Sequence, residues 1–319
     1  MAEAVGGGAA DAEAGRAAGG VAGGMPGGAA DRAGGAAGGV VGGAAGGAKA
    51  DARAVSGAGS AAGRIAALEK REGGRLGVEA LDTATGRRLQ HRSGERFAMC
   101  STFKFLAAAA ILQRAERGAE HLDRRIEYGE SDLLEYAPVT KEHVKEGGMA
   151  LTDLCAAAVQ WSDNTAANLM LKVLGGPQGV TAFIRSTGDK VTRLDNTEPE
   201  LNVVRPGEIH DTTTAASMVG LLSSVVLGQT LSADSRTLLQ GWMLDAKVGE
   251  HRLSAGLPTG WRIAHKTGTG SDQTNDVGII WPPNRAPIII AALYSRRGTR
   301  LKQREDVLRD VGRIVASGF

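Results

Sequence analysis

The stretch Ser101 to Gly118, STFKFLAAAAILQRAERG, decides how the rest of the chain is read. Phe103 to Arg117 is apolar nearly all round and stops at Gly118, the pattern of a helix buried on every side and closed by a glycine C-cap. Ser101 and Lys104 stand at its start, three residues and close to one turn apart, so they share a face. A serine there also meets free backbone N–H groups and the positive end of the helix dipole.

Outward from this helix the chain changes character in both directions. Downstream, Leu151 to Gln160, Thr165 to Leu174, Gly179 to Ser186, Thr213 to Leu227 and Ala233 to Leu244 read as helices, several of them ending at glycines such as Gly175 and Gly228. Upstream, Arg64 to Arg71 (RIAALEKR) is helical and stops at Gly73-Gly74. Leu76, Val78 and Ala80 then alternate with Gly77 and Glu79, as a half-buried strand would, and after a Thr85-Gly86 turn Arg88 to Arg92 supplies a hairpin partner. Strands return at Trp261 to Thr267, Asp276 to Trp281 and Ile288 to Tyr294, and an amphipathic helix, Arg304 to Ala316, closes the chain. A sheet assembled from both chain ends, with a helical insertion between, makes an α/β lobe beside an all-α lobe. The cleft between two such lobes is a natural substrate site.

Bulk properties narrow the function classes. The 319 residues suffice for two lobes with sizeable cores. A net charge of +2 gives no strong field toward nucleic acid or an anionic membrane. No run of about 18 apolar residues occurs, so no transmembrane helix is expected. Met1 is not followed by the basic and apolar regions of a secretory signal; either the export signal lies upstream or export takes another route. Residues 1 to about 60 are dominated by Gly and Ala, a composition that cannot offset chain entropy by burial, and are read as a disordered tail, with a spacer or anchor as the alternative. Cys100 and Cys155 form no metal-ligand spacing; a single bridge or two small buried hydrophobes both fit. No His/Cys/Asp cluster at ligand spacing implies zinc, no cofactor is expected, and His210 and His265 read as incidental neighbours of the segments below.

Three short motifs carry chemistry. In Ser101-Thr102-Phe103-Lys104 a hydroxyl, a poor nucleophile by itself, has an amine one turn away that could take its proton; alone, the pattern equally describes a helix start with a solvated lysine. Ser162-Asp163-Asn164 lies between two helical runs, where ordinary capping would also favour these residues. Lys266-Thr267-Gly268 ends the strand from Trp261, where a glycine turn is the ordinary reading. In this order and rough spacing the three resemble the signature shared by class A β-lactamases and penicillin-binding proteins, over roughly Gly63 to the end. A fourth segment, Arg193-Leu-Asp-Asn-Thr-Glu-Pro-Glu-Leu-Asn202, resembles the omega loop of class A β-lactamases. A transpeptidase hands its acyl group to an amine, whereas a hydrolase must activate water, and a positioned carboxylate contributes about 10²–10⁴-fold to that step.

The resemblance implies a serine β-lactamase/D,D-peptidase-like fold: an antiparallel sheet flanked by helices from about 61–96 and 247–319, and a helical lobe from about 97–246. It implies hydrolysis of penicillins and cephalosporins by a monomer with a small-molecule β-lactam substrate and no membrane or nucleic-acid partner, periplasmic or secreted. Ser101 would attack the lactam carbonyl, with the N–H groups of Ser101 and Thr269 as oxyanion hole. Either Lys104, or Glu198 acting through water, would accept the serine proton. Ser162 would pass a proton to the departing nitrogen, Asn164 would bind the acyl-side amide, and Lys266, Thr267 and Gly268 would line the substrate-carboxylate site. Glu198 and Asn202 would deliver the hydrolytic water.

Departures from the family pattern carry their own expectations. Relatives with an arginine on the strand after Lys-Thr-Gly have Asn275 here, and Arg252 matches the alternative source of that carboxylate-binding arginine. Asn196 stands where many relatives pair an arginine with the aspartate that is Asp211 here; without that ion pair a more mobile omega loop, open to bulkier cephalosporins, is expected. Cys100 lacks the partner cysteine of carbapenem-hydrolysing members, since Gly270 occupies its place, and the partner position of Cys155 is Ala108, so two free thiols are expected and strong carbapenemase activity is not. The rivals are a D,D-peptidase, a tethered β-lactam sensor and an inactive relative; Glu198 and Asn202, the lack of a spanning helix, and the filled catalytic positions argue against them in turn.

Overall fold

The computed structural model describes residues 59–205 and 207–319, and the expected tail lies outside them but for its last two positions. Ser60 accepts the Gly63 N–H at 3.0 Å and so caps α1 (Ala61–Glu72), which Gly73 ends at φ 71°. β1 (Arg75–Asp82) and β2 (Arg88–His91) form the hairpin and β3 (Arg96–Ala98) leads to a 3₁₀ turn, Cys100–Phe103. The helical lobe then holds α2 (Lys104–Glu116), β4 (Arg125–Glu127), α3 (Thr140–His143), β5 (Gly148–Ala150), α4 (Leu151–Gln160), α5 (Asn164–Leu174) and α6 (Pro177–Ser186). After β6 (Thr212–Thr214) come α7 (Ala215–Leu222) and α8 (Ala233–Leu244), and the chain returns to the sheet through β7 (Arg262–Thr269), β8 (Gln273–Trp281), β9 (Ile288–Ser295) and α9 (Leu301–Ala316).

Five strands pair antiparallel in the order β2-β1-β9-β8-β7, so β1 from the front of the chain zips directly onto β9 from its end. α1 and α9 cover one face through Ile65, Leu68, Val307, Leu308 and Val311. α7 covers β1 and β9 on the other face, continuous with the core around α2. α2 is buried from Lys104 to Leu112, as its all-round apolar sequence requires. Ile288, Ile289 and Ile290 are wholly buried in succession because β9 is covered on both faces; each contributes about 1.5–3 kcal/mol of burial.

Three expectations change on contact with the structure. β1 is buried on both faces rather than half-buried: Gly77 gives way to the Phe97 ring, which a Cβ would meet at 2.5 Å, and Glu79 is drawn in by Arg88 and Gln90. The helix expected from Thr213 begins only at Ala215; the β-branched run Thr212–Thr214 is extended and pairs with β3 instead. Its last five residues, Ser223–Leu227, form a π-helical turn. The helical lobe also carries the short β4–β5 ladder, which the sequence pattern did not reveal.

Candidate active site

The turn bearing Ser101 is held in a conformation that few residues adopt. Cys100 has φ 47°, a left-handed value costly for a side chain with a Cβ, and it persists because the neighbours fix it. The Met99 N–H donates to Asp211 O at 2.9 Å and the Thr102 hydroxyl to Met99 O at 2.7 Å. Gly268 matters for a different reason. A Cβ there would come within 2.8 Å of Met99 O, so only glycine lets the end of β7 lie against this turn. Thr269, the next residue, ends β7.

Eight of the expected residues join in one hydrogen-bonded chain. The Ser101 hydroxyl donates to Glu198 Oε1 at 2.9 Å, and Lys104 Nζ lies 3.0 Å from the same oxygen. Glu198 Oε2 accepts Asn202 Nδ2 at 2.7 Å. Lys104 Nζ also donates to Asn164 Oδ1 at 2.6 Å and Ser162 O at 2.8 Å. Ser162, itself at φ 61°, accepts at its hydroxyl from Lys266 Nζ at 2.9 Å, and Lys266 also donates to Thr267 O. Arg252 completes the β7 side: it donates to Gly268 O at 3.2 Å, Asn275 O at 3.0 Å and Thr269 Oγ1 at 2.7 Å, and pairs with Glu305 at 3.2 Å. Lys104, Lys266 and Arg252 are all buried at the site, with Lys104 paired to Glu198 and Arg252 to Glu305.

Burial sets the protonation behaviour. Complete desolvation holds the Lys104 ammonium below the usual lysine range, against the pull of Glu198. Lys266 is pushed well below it by burial, and repulsion from Lys104 and Arg252 adds to the shift. Burial raises Glu198, but Lys104, Ser101 and Asn202 together outweigh it and leave the carboxyl below its ordinary value. Burial, then the Glu198 charge, pushes the Cys100 thiol up to about 12. Both cysteines are buried and free. A thiol so raised is inert toward exchange.

One contributor went unseen in the sequence. Asn168 clamps the backbone of Glu198 from both sides, accepting its N–H at 2.9 Å and donating to its carbonyl at 2.8 Å. It stands four residues after Asn164 on α5, so helical spacing could have placed it on the same face. Asp163 lies under Ser162 and Asn164, accepting the N–H groups of Val139, Thr140 and Ala166. The arginine–aspartate pair missing at Asn196 is replaced by hydrogen bonds: Asp211 accepts the Asn196 amide at 2.6 Å and the N–H groups of Asp195 and Asn196. His265 is buried against Asp276 at 2.8 Å, and His210 makes no side-chain hydrogen bond among the described residues. Among them, too, no group of His, Cys, Asp or Glu could hold a metal ion, and no helix is long and apolar enough to cross a membrane.

Comparison with known proteins agrees in sequence and in shape. A family model described as the beta-lactamase enzyme family matches residues 60–319. Beta-lactamase CTX-M-8 of Citrobacter amalonaticus is 45% identical over 257 residues, 80% of this chain and 88% of that protein. Beta-lactamase L2 of Stenotrophomonas maltophilia is 48% identical over 252 residues, 78% of this chain and 83% of its own length. Among solved structures, an ancestral class A β-lactamase superposes with a TM-score of 0.80 at 53% identity, covering 82% of this chain and all of that one.

Proposed function

The chain belongs to the class A β-lactamase family, enzymes that hydrolyse β-lactams, and on that premise we propose how its residues divide the work. The Ser101 hydroxyl adds to the lactam carbonyl while its proton passes to Glu198, directly or through one water. The 2.9 Å contact of Ser101 with Glu198 supports this acceptor, and Lys104, touching the same carboxylate, keeps it ionised. The N–H groups of Ser101 and Thr269 receive the oxyanion. The C–N bond then breaks, and Ser162, held by Lys266, relays to the nitrogen the proton that Glu198 took from Ser101, handed on through Lys104, so that Glu198 is a carboxylate again before deacylation. Asn164 holds the acyl-side amide, while Lys266, Thr267, Gly268 and Arg252 line the pocket for the substrate carboxylate.

Deacylation follows the same logic. Glu198 Oε2 and Asn202 face each other at 2.7 Å, and a water between them and the ester loses its proton to Glu198 as its oxygen attacks. The ester C–O bond breaks and the proton returns to Ser101. The observation that carries this reading is that one buried carboxylate touches the nucleophile with one oxygen and Asn202 with the other. Such an enzyme acts where β-lactams meet their targets, so the same reading places it in the periplasm or outside the cell, as a monomer.

Intact-protein mass spectrometry with benzylpenicillin tests the reading. The parent should return to its free mass with penicilloic acid released, and Glu198→Ala should retain the added penicilloyl group. A parent that stays adducted, with Glu198→Ala no different, would make the chain a D,D-peptidase-like acceptor rather than a hydrolase.

A further inference from the structure

We infer that Asn275 is a positioning residue for this reaction: its buried amide fastens the turn that carries Ser101 to the strand end that carries Thr269, and so sets the gap between their two N–H groups. The inference rests on the reading of Ser101 and Thr269 as the oxyanion hole. Asn275 is wholly buried in β8, turned under the site instead of into it. Its Nδ2 donates to Ala98 O at 2.8 Å and to Met99 O at 3.2 Å, the two residues before Cys100-Ser101. Its backbone pairs in register with Gly268, one residue from Thr269, and its carbonyl accepts from Arg252, which also holds Gly268 O and Thr269 Oγ1. One residue therefore grips both walls of the gap.

Two further observations separate this role from ordinary core filling. Cys100 at φ 47° stores strain directly before Ser101, so the turn needs an external tie to keep that shape. The Asn275 Oδ1 is buried with no protein partner, which an apolar side chain of similar size would avoid. Its donor half is what the site uses. Without it the turn relaxes, the Ser101 N–H moves relative to that of Thr269, and the carbonyl under attack is less polarised.

The test compares Asn275→Leu, similar in size but without a donor, and Asn275→Ser, which keeps a short donor. In a Glu198→Gln background that holds the acyl group, infrared difference spectroscopy reads the ester carbonyl. Asn275→Leu should move its stretch to higher wavenumber, with Asn275→Ser between. Acylation with the native Glu198, followed by stopped flow, should slow about 10- to 100-fold in Asn275→Leu, short of losing a whole oxyanion donor. An unmoved stretch, or an unchanged acylation rate in folded Asn275→Leu, overturns the inference. Should Glu198→Gln fail to hold the acyl group, the deacylation reading is at fault, and the acylation rate alone still decides for or against Asn275.

Discussion

Asp163, between α4 and α5, and Glu198, in the segment before β6, are carboxylates removed almost completely from water, at 0% and 2% exposure, yet they are built for opposite ends. Asp163 is satisfied by groups that the fold fixes: the N–H groups of Val139, Thr140 and Ala166, at 2.8–2.9 Å, and the Thr140 hydroxyl at 3.0 Å. Glu198 is satisfied by side chains alone, those of Ser101, Lys104 and Asn202. Backbone donors cannot leave without unfolding the loop, so Asp163 holds shape. Side-chain donors can be exchanged for a substrate or a water, so Glu198 can do chemistry. Burial by itself does not suit a carboxylate to proton transfer; donors that can be exchanged do.

That contrast can be broken most severely at Asp163. Asp163→Ala strands four buried donors at about 1–3 kcal/mol each, not fully additive. Stability should fall by about 5 kcal/mol and Tm by about 10–20 °C, measured by calorimetry. A shift of only a few degrees would show that the loop does not depend on it. Arg252→Ala comes next. It removes a fork of charged donors, so KM for penicillins should rise about 10- to 100-fold with kcat falling less, and Arg252→Lys should not restore it. An unchanged KM would take Arg252 out of the carboxylate site.

The pH dependence sharpens the Glu198 side. Its carboxyl is held below the ordinary value, so the active carboxylate persists above that lowered value and is lost only as pH falls through it. The acid limb of kcat should therefore lie below about 4.3, the usual glutamate value. In Lys104→Met the limb of the residual activity should move upward, since burial then acts on Glu198 without its main cation. A limb that stays put would dissociate the pair. The smallest effect is expected at Asn196. Asn196→Ala removes one of three donors to Asp211, about 1 kcal/mol, visible as faster amide exchange over residues 193–202. Equal protection in Asn196→Arg and the parent would show that the hydrogen bonds already replace the missing ion pair.

What the sequence disclosed follows the same division. Ser101, Lys104, Ser162, Lys266 and Glu198 stand in short local patterns, and periodicity located α2, α4 and the three late strands to within a few residues. Asn168 and Asn275 escaped because their roles depend on partners 30 and about 177 residues away, which no local pattern encodes. Thr213 misled because a β-branched run beside a helix can extend it or pair as a strand, and the choice fell to β3, far upstream. Glu79 looked solvent-facing until Arg88 and Gln90 on the adjoining strand drew it inward.

Rapid-quench separation of the acylation and deacylation rate constants in Glu198→Gln, with Tm recorded on the same sample, reaches the central step most directly. Deacylation should fall about 10²–10⁴-fold, and acylation should slow as well because Glu198 takes the Ser101 proton, with Tm nearly unchanged. Deacylation at the parent rate, or a loss that merely tracks a collapse in Tm, would mean that Glu198 holds the loop as Asp163 does and that water is activated by another group.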